Sequence, residues 1–236
     1  MTDIAANLNS VRQRIAQASD RAGRDPEGVT LLAVSKGQPA ETVRAAADLG
    51  LTLFGENRVQ EGRAKIGLCP GRLRWHLIGH LQSNKCRDAV HFFEMIQSVD
   101  SLSLAREINN WAEKSAKTMP VLIEVNVAGE SSKFGYAPEK VLAELKEINA
   151  LPKIEVHGLM TVAPFSQDSG KVRPVFRRLR ELKGQCEGIL GVPLPHLSMG
   201  MSGDFEVAVE EGATIIRLGS AILGPRSAPK PPPADQ

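Results

Sequence analysis

A short apolar run, a polar or glycine-containing break and an amphipathic stretch recur eight times along this chain, and that repeat most constrains its fold. The runs are Leu31–Val34 (carried on through Ser35 to Lys36), Leu51–Gly55, Leu73–Ile78, Met95–Val99, Pro120–Val127, Ile154–Met160, Leu194–Met199 and Ala213–Leu218. Apolar residues at consecutive positions read as strands buried on both faces, which is the habit of parallel sheets. Helical stretches lie between them at about 40–49, 59–66, 84–91, 101–114, 138–148, 172–182 and 205–211. One more helix comes first: Ile4, Leu8, Val11 and Ile15 share a face over residues 3–22, and Gly23 is placed to stop it. Eight strands, each followed by a helix, predict an α/β fold of the closed (β/α)8 type, a TIM barrel with an extra N-terminal helix. An open doubly wound sheet is the alternative, but its Gly-x-Gly-x-x-Gly fingerprint is missing.

The 236 residues fit a single domain, since α/β barrels reach this length without splitting. We assign residues 1–226 to the barrel and expect residues 227–236, the end of a proline-rich tail, to be disordered. A net charge of +2 and the lack of a basic run interleaved with aromatics argue against nucleic acid and a membrane surface. The N-terminus has no apolar core of signal-peptide length, and Cys69, Cys86 and Cys186 form no Cys-x-x-Cys pair. They read as free thiols in a reducing compartment, with the cytoplasm as the default.

A barrel collects its chemistry where strands end and helices begin. In chain order those points carry Lys36, Glu56-Asn57, Gly79-His80, Asp100, Asn126, Met160-Thr161, Ser198-Met199-Gly200 and Arg217-Leu218-Gly219-Ser220. An ammonium at an apolar rim is costly to desolvate, which lowers its pKa and makes Lys36 a candidate nucleophile towards carbonyl groups. Ser198-Met199-Gly200-Met201-Ser202-Gly203-Asp204 combines turn glycines with hydroxyl donors ahead of a helix. Gly219-Ser220 does the same after the eighth strand, and barrels commonly hold phosphate on these two loops. Arg217, permanently charged, is available to a heteroaromatic nitrogen, or to a carboxylate at the barrel rim such as Glu124 or Asp204. His76 and His80 are four apart, but strand and turn separate them, so no metal site is expected. A Gly-x-Ser-x-Gly hydrolase elbow is also missing. Lys171, Arg173, Arg177, Arg178, Arg180 and Lys183 form a basic helix face that either meets solvent or docks an acidic partner.

A lysine at the first strand end, a phosphate cup after strands seven and eight and an arginine beside it describe a pyridoxal 5′-phosphate site. The segments Val34-Ser35-Lys36, Phe54-Gly55-Glu56-Asn57, Trp75-His76-Leu77-Ile78-Gly79, His157-Gly158-Leu159-Met160, Leu197-Ser198-Met199-Gly200-Met201-Ser202 and Arg217-Leu218-Gly219 closely resemble the pyridoxal phosphate homeostasis protein family. The resemblance runs from about residue 3 to 226. Leu77, where the family more often has Phe or Met, and Ala89, where a larger aliphatic is usual, depart from it as packing changes.

The resemblance implies a barrel like the N-terminal domain of alanine racemase, with Lys36 forming the internal aldimine and Asn57 lining the pocket. It places Ser198, Met199, Gly200, Gly219 and Ser220 around the phosphate, and Arg217 facing the pyridine nitrogen. It also implies a protein of vitamin B6 homeostasis that binds pyridoxal 5′-phosphate, with other B6 vitamers and apo pyridoxal-phosphate enzymes as further partners. Weak catalysis follows from the residues too. Arginine does not give up its proton, so a ring nitrogen opposite Arg217 stays unprotonated and the ring is a poor electron sink. The alternative is a slow amino-acid racemase with Lys36 as one base, which needs a second acid–base group. Alanine racemases take a tyrosine from a partner's separate domain, and with no such domain here we expect a monomer. The one tyrosine, Tyr136, lies in Lys133-Phe134-Gly135-Tyr136, a candidate lid after the fifth strand.

Overall fold

The structure, a computed structural model, describes residues 2–130, 133–164, 166 and 168–225. The chain opens with α1 (Ile4–Arg21), capped by Asp3, whose carboxylate accepts from the Ala6 N–H at 2.9 Å. The first half of the barrel follows as β1 (Thr30–Val34), α2 (Ala40–Asp48), β2 (Leu53–Glu56), α3 (Val59–Ile66), β3 (Arg74–Leu77), α4 (Cys86–Phe92) and β4 (Met95–Val99). The second half runs α5 (Leu102–Lys114), β5 (Met119–Glu124), α6 (Pro138–Asn149), β6 (Ile154–Met160), α7 (Ser169–Leu190), β7 (His196–Ser198), α8 (Phe205–Glu210), β8 (Ile215–Leu218) and α9 (Ser220–Leu223). All strand pairs are parallel, and β1 pairs with β8 through Leu32 and Arg217, which closes the ring. Among the described residues no helix is long and apolar enough to cross a membrane.

The predicted barrel is present, with local differences. β1 stops at Val34, so Lys36 stands two residues beyond the strand. β7 keeps only three residues, because Pro193 and Pro195 ahead of it lack the N–H that a ladder needs. α7 runs past Pro174 and on to Leu190, where Gly191 at φ 70° ends it in the left-handed conformation. The tail from residue 227 lies outside the described residues, as do Ser131 and Ser132 of the loop after β5.

Two cores result. The larger fills the space between sheet and helices, and α1 enters it with Leu8, Val11, Ile15 and Ala18 while lying against α8 and α9. The smaller fills the barrel itself: Leu32, Val34, Leu53, Met95, Leu122, Met160 and Ile215. Side chains alternate along a strand, so Glu124 follows Leu122 and Arg217 follows Ile215 on the inner side. The apolar plug therefore supports a polar layer at the C-terminal end of the strands.

One backbone feature is indispensable to this closure. The β5–β6 register steps from Val121↔Val156 to Leu122↔Gly158, leaving His157 as an extra residue. Gly158 takes φ 153°, and a Cβ there would sit 1.9 Å from the His196 carbonyl oxygen on β7. Gly158→Ala is expected to cost at least about 4 kcal/mol, in the range reserved for strained or clashing backbones. Thermal unfolding checks this, and a variant as stable as its parent would show that the β6–β7 contact is softer than described.

Candidate functional site

Lys36 is held from both sides. The Ser35 N–H donates to the Gly55 carbonyl at 3.0 Å, and its hydroxyl donates to Glu56 Oε1 at 2.6 Å. Lys65, from α3, sends its ammonium inward and donates to the Ser35 carbonyl at 2.6 Å, Glu56 Oε1 at 2.7 Å and Glu61 Oε1 at 2.7 Å. Glu61 closes the circuit by accepting the Gly37 N–H at 2.6 Å. Glu56 is fully buried, and that desolvation raises its pKa against the pull of the Lys65 and Ser35 donors. Burial is the largest single influence on the Glu61 carboxyl and raises it, but the Lys65 and Gly37 donors and the charges of Lys65 and Arg58 together bring its pKa below the usual value. Lys36 itself is half-buried, between two residues whose backbone this network fixes. The strand-end carboxylate Glu56 thus serves the loop that carries Lys36.

A second network crosses the lumen. Arg217 donates through Nη1 to Ser198 Oγ at 2.8 Å and through Nη2 to the Thr161 carbonyl at 2.7 Å. Ser198 Oγ donates to Gln97 Oε1 at 2.6 Å, which leaves the Gln97 amide N–H to donate to His76 Nδ1 at 2.9 Å. We assign His76 the Nε2–H tautomer on that basis. Burial pushes its pKa down to about 3, so it is neutral at physiological pH. Burial also lowers Arg217, to about 10, with Glu124 and Asp204 opposing, and it stays charged.

The loops after β7 and β8 meet but use their residues unequally. Ser198 faces inward and is committed to Arg217 and Gln97, while Met199 is buried in the outer core. Gly200 takes φ 94°, where a Cβ would lie 2.6 Å from that of Ala208. Its carbonyl accepts the Arg217 N–H at 3.0 Å. Ser202 Oγ accepts the Ala221 N–H at 3.3 Å and lies 3.4 Å from Ser220 Oγ, joining the two loops, and a Cβ on Gly219 would sit 3.2 Å from the Val34 carbonyl. Of the predicted cup, Gly200, Gly219 and Ser220 line this junction, whereas the side chains of Ser198 and Met199 point elsewhere.

Asn57 follows β2 directly and packs its backbone on Gly79, where a Cβ would lie 2.3 Å from the Asn57 carbonyl oxygen. Its side-chain Oδ1 is buried without a partner. His80 pairs with Asp100 at 3.0 Å and stacks on Phe134 with ring centroids 3.7 Å apart. Asn126 organises its own loop, donating to the Glu130 carbonyl at 2.8 Å and accepting the Glu130 N–H at 3.2 Å. Tyr136 is buried and donates to Glu144 on α6 at 2.9 Å, so it faces the helix layer. Among the described residues no three His, Cys, Asp or Glu side chains converge as metal ligands. On α7, Arg173 pairs with Glu210 and Glu211, and Arg177 and Arg180 also reach Glu211, so much of the basic face is matched within the molecule.

Glu124 was absent from the strand-end candidates. It is 8% exposed, and its Oε2 has no hydrogen-bond partner. Burial, then the charge of Asp100, pushes its pKa up to about 7, with Arg217 opposing. Its pKa exceeds the unperturbed 4.5, so the folded state binds more protons than the unfolded state between those values. Its contribution to stability therefore declines as pH rises from about 4.5 through about 7. His76 acts in the opposite sense below 6.5, so the Glu124 effect is read as a difference between variants. Glu124→Gln is expected to gain stability on its parent across this window. Parallel stability–pH curves would show that the carboxyl is better solvated than its burial implies.

Comparison with known proteins agrees with this architecture. The sequence profile described as alanine racemase, N-terminal domain, matches residues 6–227. The pyridoxal phosphate homeostasis protein of Aquifex aeolicus is 46% identical over 220 residues, covering 93% of this chain and 96% of that one. The Homo sapiens protein of the same name is 39% identical over 250 residues, covering 99% and 90%. PipY of Synechococcus elongatus, solved with PLP bound, superimposes with a TM-score of 0.83 at 36% identity, over 94% of this chain and 100% of that one. Alanine racemase of Clostridium difficile shares the fold, with a TM-score of 0.74 at 16% identity, over 93% of this chain and 56% of that one.

Proposed function

This chain belongs to the pyridoxal phosphate homeostasis protein family, and from that membership we propose that it binds pyridoxal 5′-phosphate in the mouth of the barrel and buffers or delivers it with little or no catalysis. The observation that carries the reading is the lumen itself, where an apolar plug supports a charged arginine and two unpartnered acceptors, Asn57 Oδ1 and Glu124 Oε2. Buried polar atoms without partners are rare in folded proteins, and a polar ligand in the mouth accounts for them. The residues therefore fit the group. Lys36 is the covalent anchor, through its ε-amine, and Asn57 lines the pocket. Gly200, Gly219 and Ser220, with the backbone of Ser198 and Met199, hold the phosphate. When bound, the group supplies an electrophilic aldehyde and an electron sink.

The protein's own residues favour holding over turnover. Arg217 offers only N–H donors and remains charged, so it supports a heteroaromatic nitrogen as acceptor and supplies it no proton. Tyr136 is bonded to Glu144 on the helix side, which removes it as the second base of a racemase. We read the protein as a cytoplasmic monomer that passes its ligand to apo-enzymes. Cofactor-loaded protein is expected to restore activity to an apo pyridoxal-phosphate enzyme, with no solvent deuterium appearing at Cα of added amino acids. Deuterium incorporation that Lys36→Ala abolishes would instead make the protein a slow racemase.

A further inference from the structure

Of the two unpartnered acceptors in the barrel mouth, Glu124 Oε2 belongs to a charged group, and the proposed site assigns it no contact of its own. Glu124 ends β5, and in a ring of eight strands β5 stands opposite β1, whose continuation carries Lys36. The carboxylate is more than nine-tenths buried, lies on the inner side with Leu122, and leaves Oε2 unsatisfied. Two cations near the mouth are committed to other partners: Arg217 to Ser198 and Thr161, and Lys133 to Glu130 at 2.8 Å and the Val162 carbonyl at 3.4 Å. The neighbouring acid does not help. Asp100, after β4, is paired with His80, and its charge works against ionisation of Glu124.

A buried acceptor short of positive charge, beside a second acid, calls for a cation. A metal is a poor candidate, because no set of three ligating side chains surrounds it among the described residues. An organic ammonium needs only one carboxylate and the wall of a pocket.

We propose that Glu124 is the counter-ion for a primary ammonium bound in the barrel mouth. The inference rests on the cofactor reading above and names a second class of ligand for the same cavity. Two sources carry that group. The amine form of the cofactor, pyridoxamine 5′-phosphate, bears the ammonium and the phosphate in one molecule. An amino acid brings it separately, beside the aldehyde form.

The test compares the parent with Glu124→Gln, which keeps the shape of the side chain and removes its charge. Isothermal titration gives the affinities for pyridoxamine 5′-phosphate and pyridoxal 5′-phosphate, and the absorbance of the pyridoxal-phosphate-loaded protein is followed as L-alanine is added. The variant is expected to lose at least about tenfold in preference for the amine over the aldehyde form, as the loss of a charge-assisted bond requires. A shift seen only in the half-saturating concentration of L-alanine assigns the ammonium to an amino acid and still supports the inference. An unchanged preference together with an unchanged L-alanine response overturns it, with binding of pyridoxal 5′-phosphate intact. A parent that binds neither phosphate compound overturns the cofactor reading and this inference with it.

Discussion

Lys65→Met is expected to lower stability by about 3–5 kcal/mol, the cost of removing one partner from a buried ion pair. Lys65 is the centre of its network, and without it Glu56, at 0% exposure, keeps only the Ser35 hydroxyl. For a domain of this size that loss moves the thermal midpoint down by about 6–20 °C. Replacing both partners should recover most of the difference, because the double change leaves no isolated charge in the interior. Lys65→Met/Glu56→Leu is therefore expected to melt well above Lys65→Met. A single variant with the parent's midpoint would mean that water reaches Glu56, and the account of how Ser35 and Gly37 are pinned would fail with it. The functional consequence follows from position. Lys36 lies between those two residues, so the loosened loop should also bind pyridoxal 5′-phosphate more weakly.

The second large effect is expected at Arg217. Its guanidinium links Ser198 on β7 to the Thr161 carbonyl after β6, and its charge opposes that of Glu124 across the lumen. Arg217→Met leaves the Thr161 carbonyl and one side of Ser198 without their donor, and we expect a loss of about 3–5 kcal/mol by the same reasoning. The pH dependence supplies a sharper sign. Arg217 lowers the Glu124 pKa, so its removal should carry that carboxyl above about 7 and extend the decline in stability towards alkaline pH. Denaturant unfolding at several pH values separates this from a simple packing defect, which would shift every curve by a constant. A pH-independent difference would show that the two charges do not sense one another.

Much of this arrangement was legible in the sequence because strand ends are easy to find. Parallel strands declare themselves as apolar runs, and each run ends on a polar residue that the barrel must place at one rim. That pattern alone puts Lys36, Asn57, Gly200, Arg217 and Gly219 at one rim, and their part in binding is what we propose. The same property hid which way Glu124 faces. In Val121-Leu122-Ile123-Glu124 every position is apolar up to the acid, so alternation gives no clue to which side faces the lumen. Lys65 was hidden for another reason. Its spacing of four from Glu61 reads as a solvent-exposed helix pair, and only the fold reveals that α3 turns it towards β2. Ser198 was identified but grouped with the loop that follows. Its partner Gln97 stands 101 residues earlier, and no local pattern announces a contact made across the inside of a barrel.

The proposed anchoring of pyridoxal 5′-phosphate by the lysine past the end of β1 can be tested at the bond itself. The most direct measurement is borohydride reduction of the cofactor-loaded protein, followed by peptide mass mapping. A reduced pyridoxyl adduct is expected on the peptide containing Lys36. A protein that takes up no pyridoxal 5′-phosphate, or that carries its adduct only on lysines away from the barrel mouth, would contradict it.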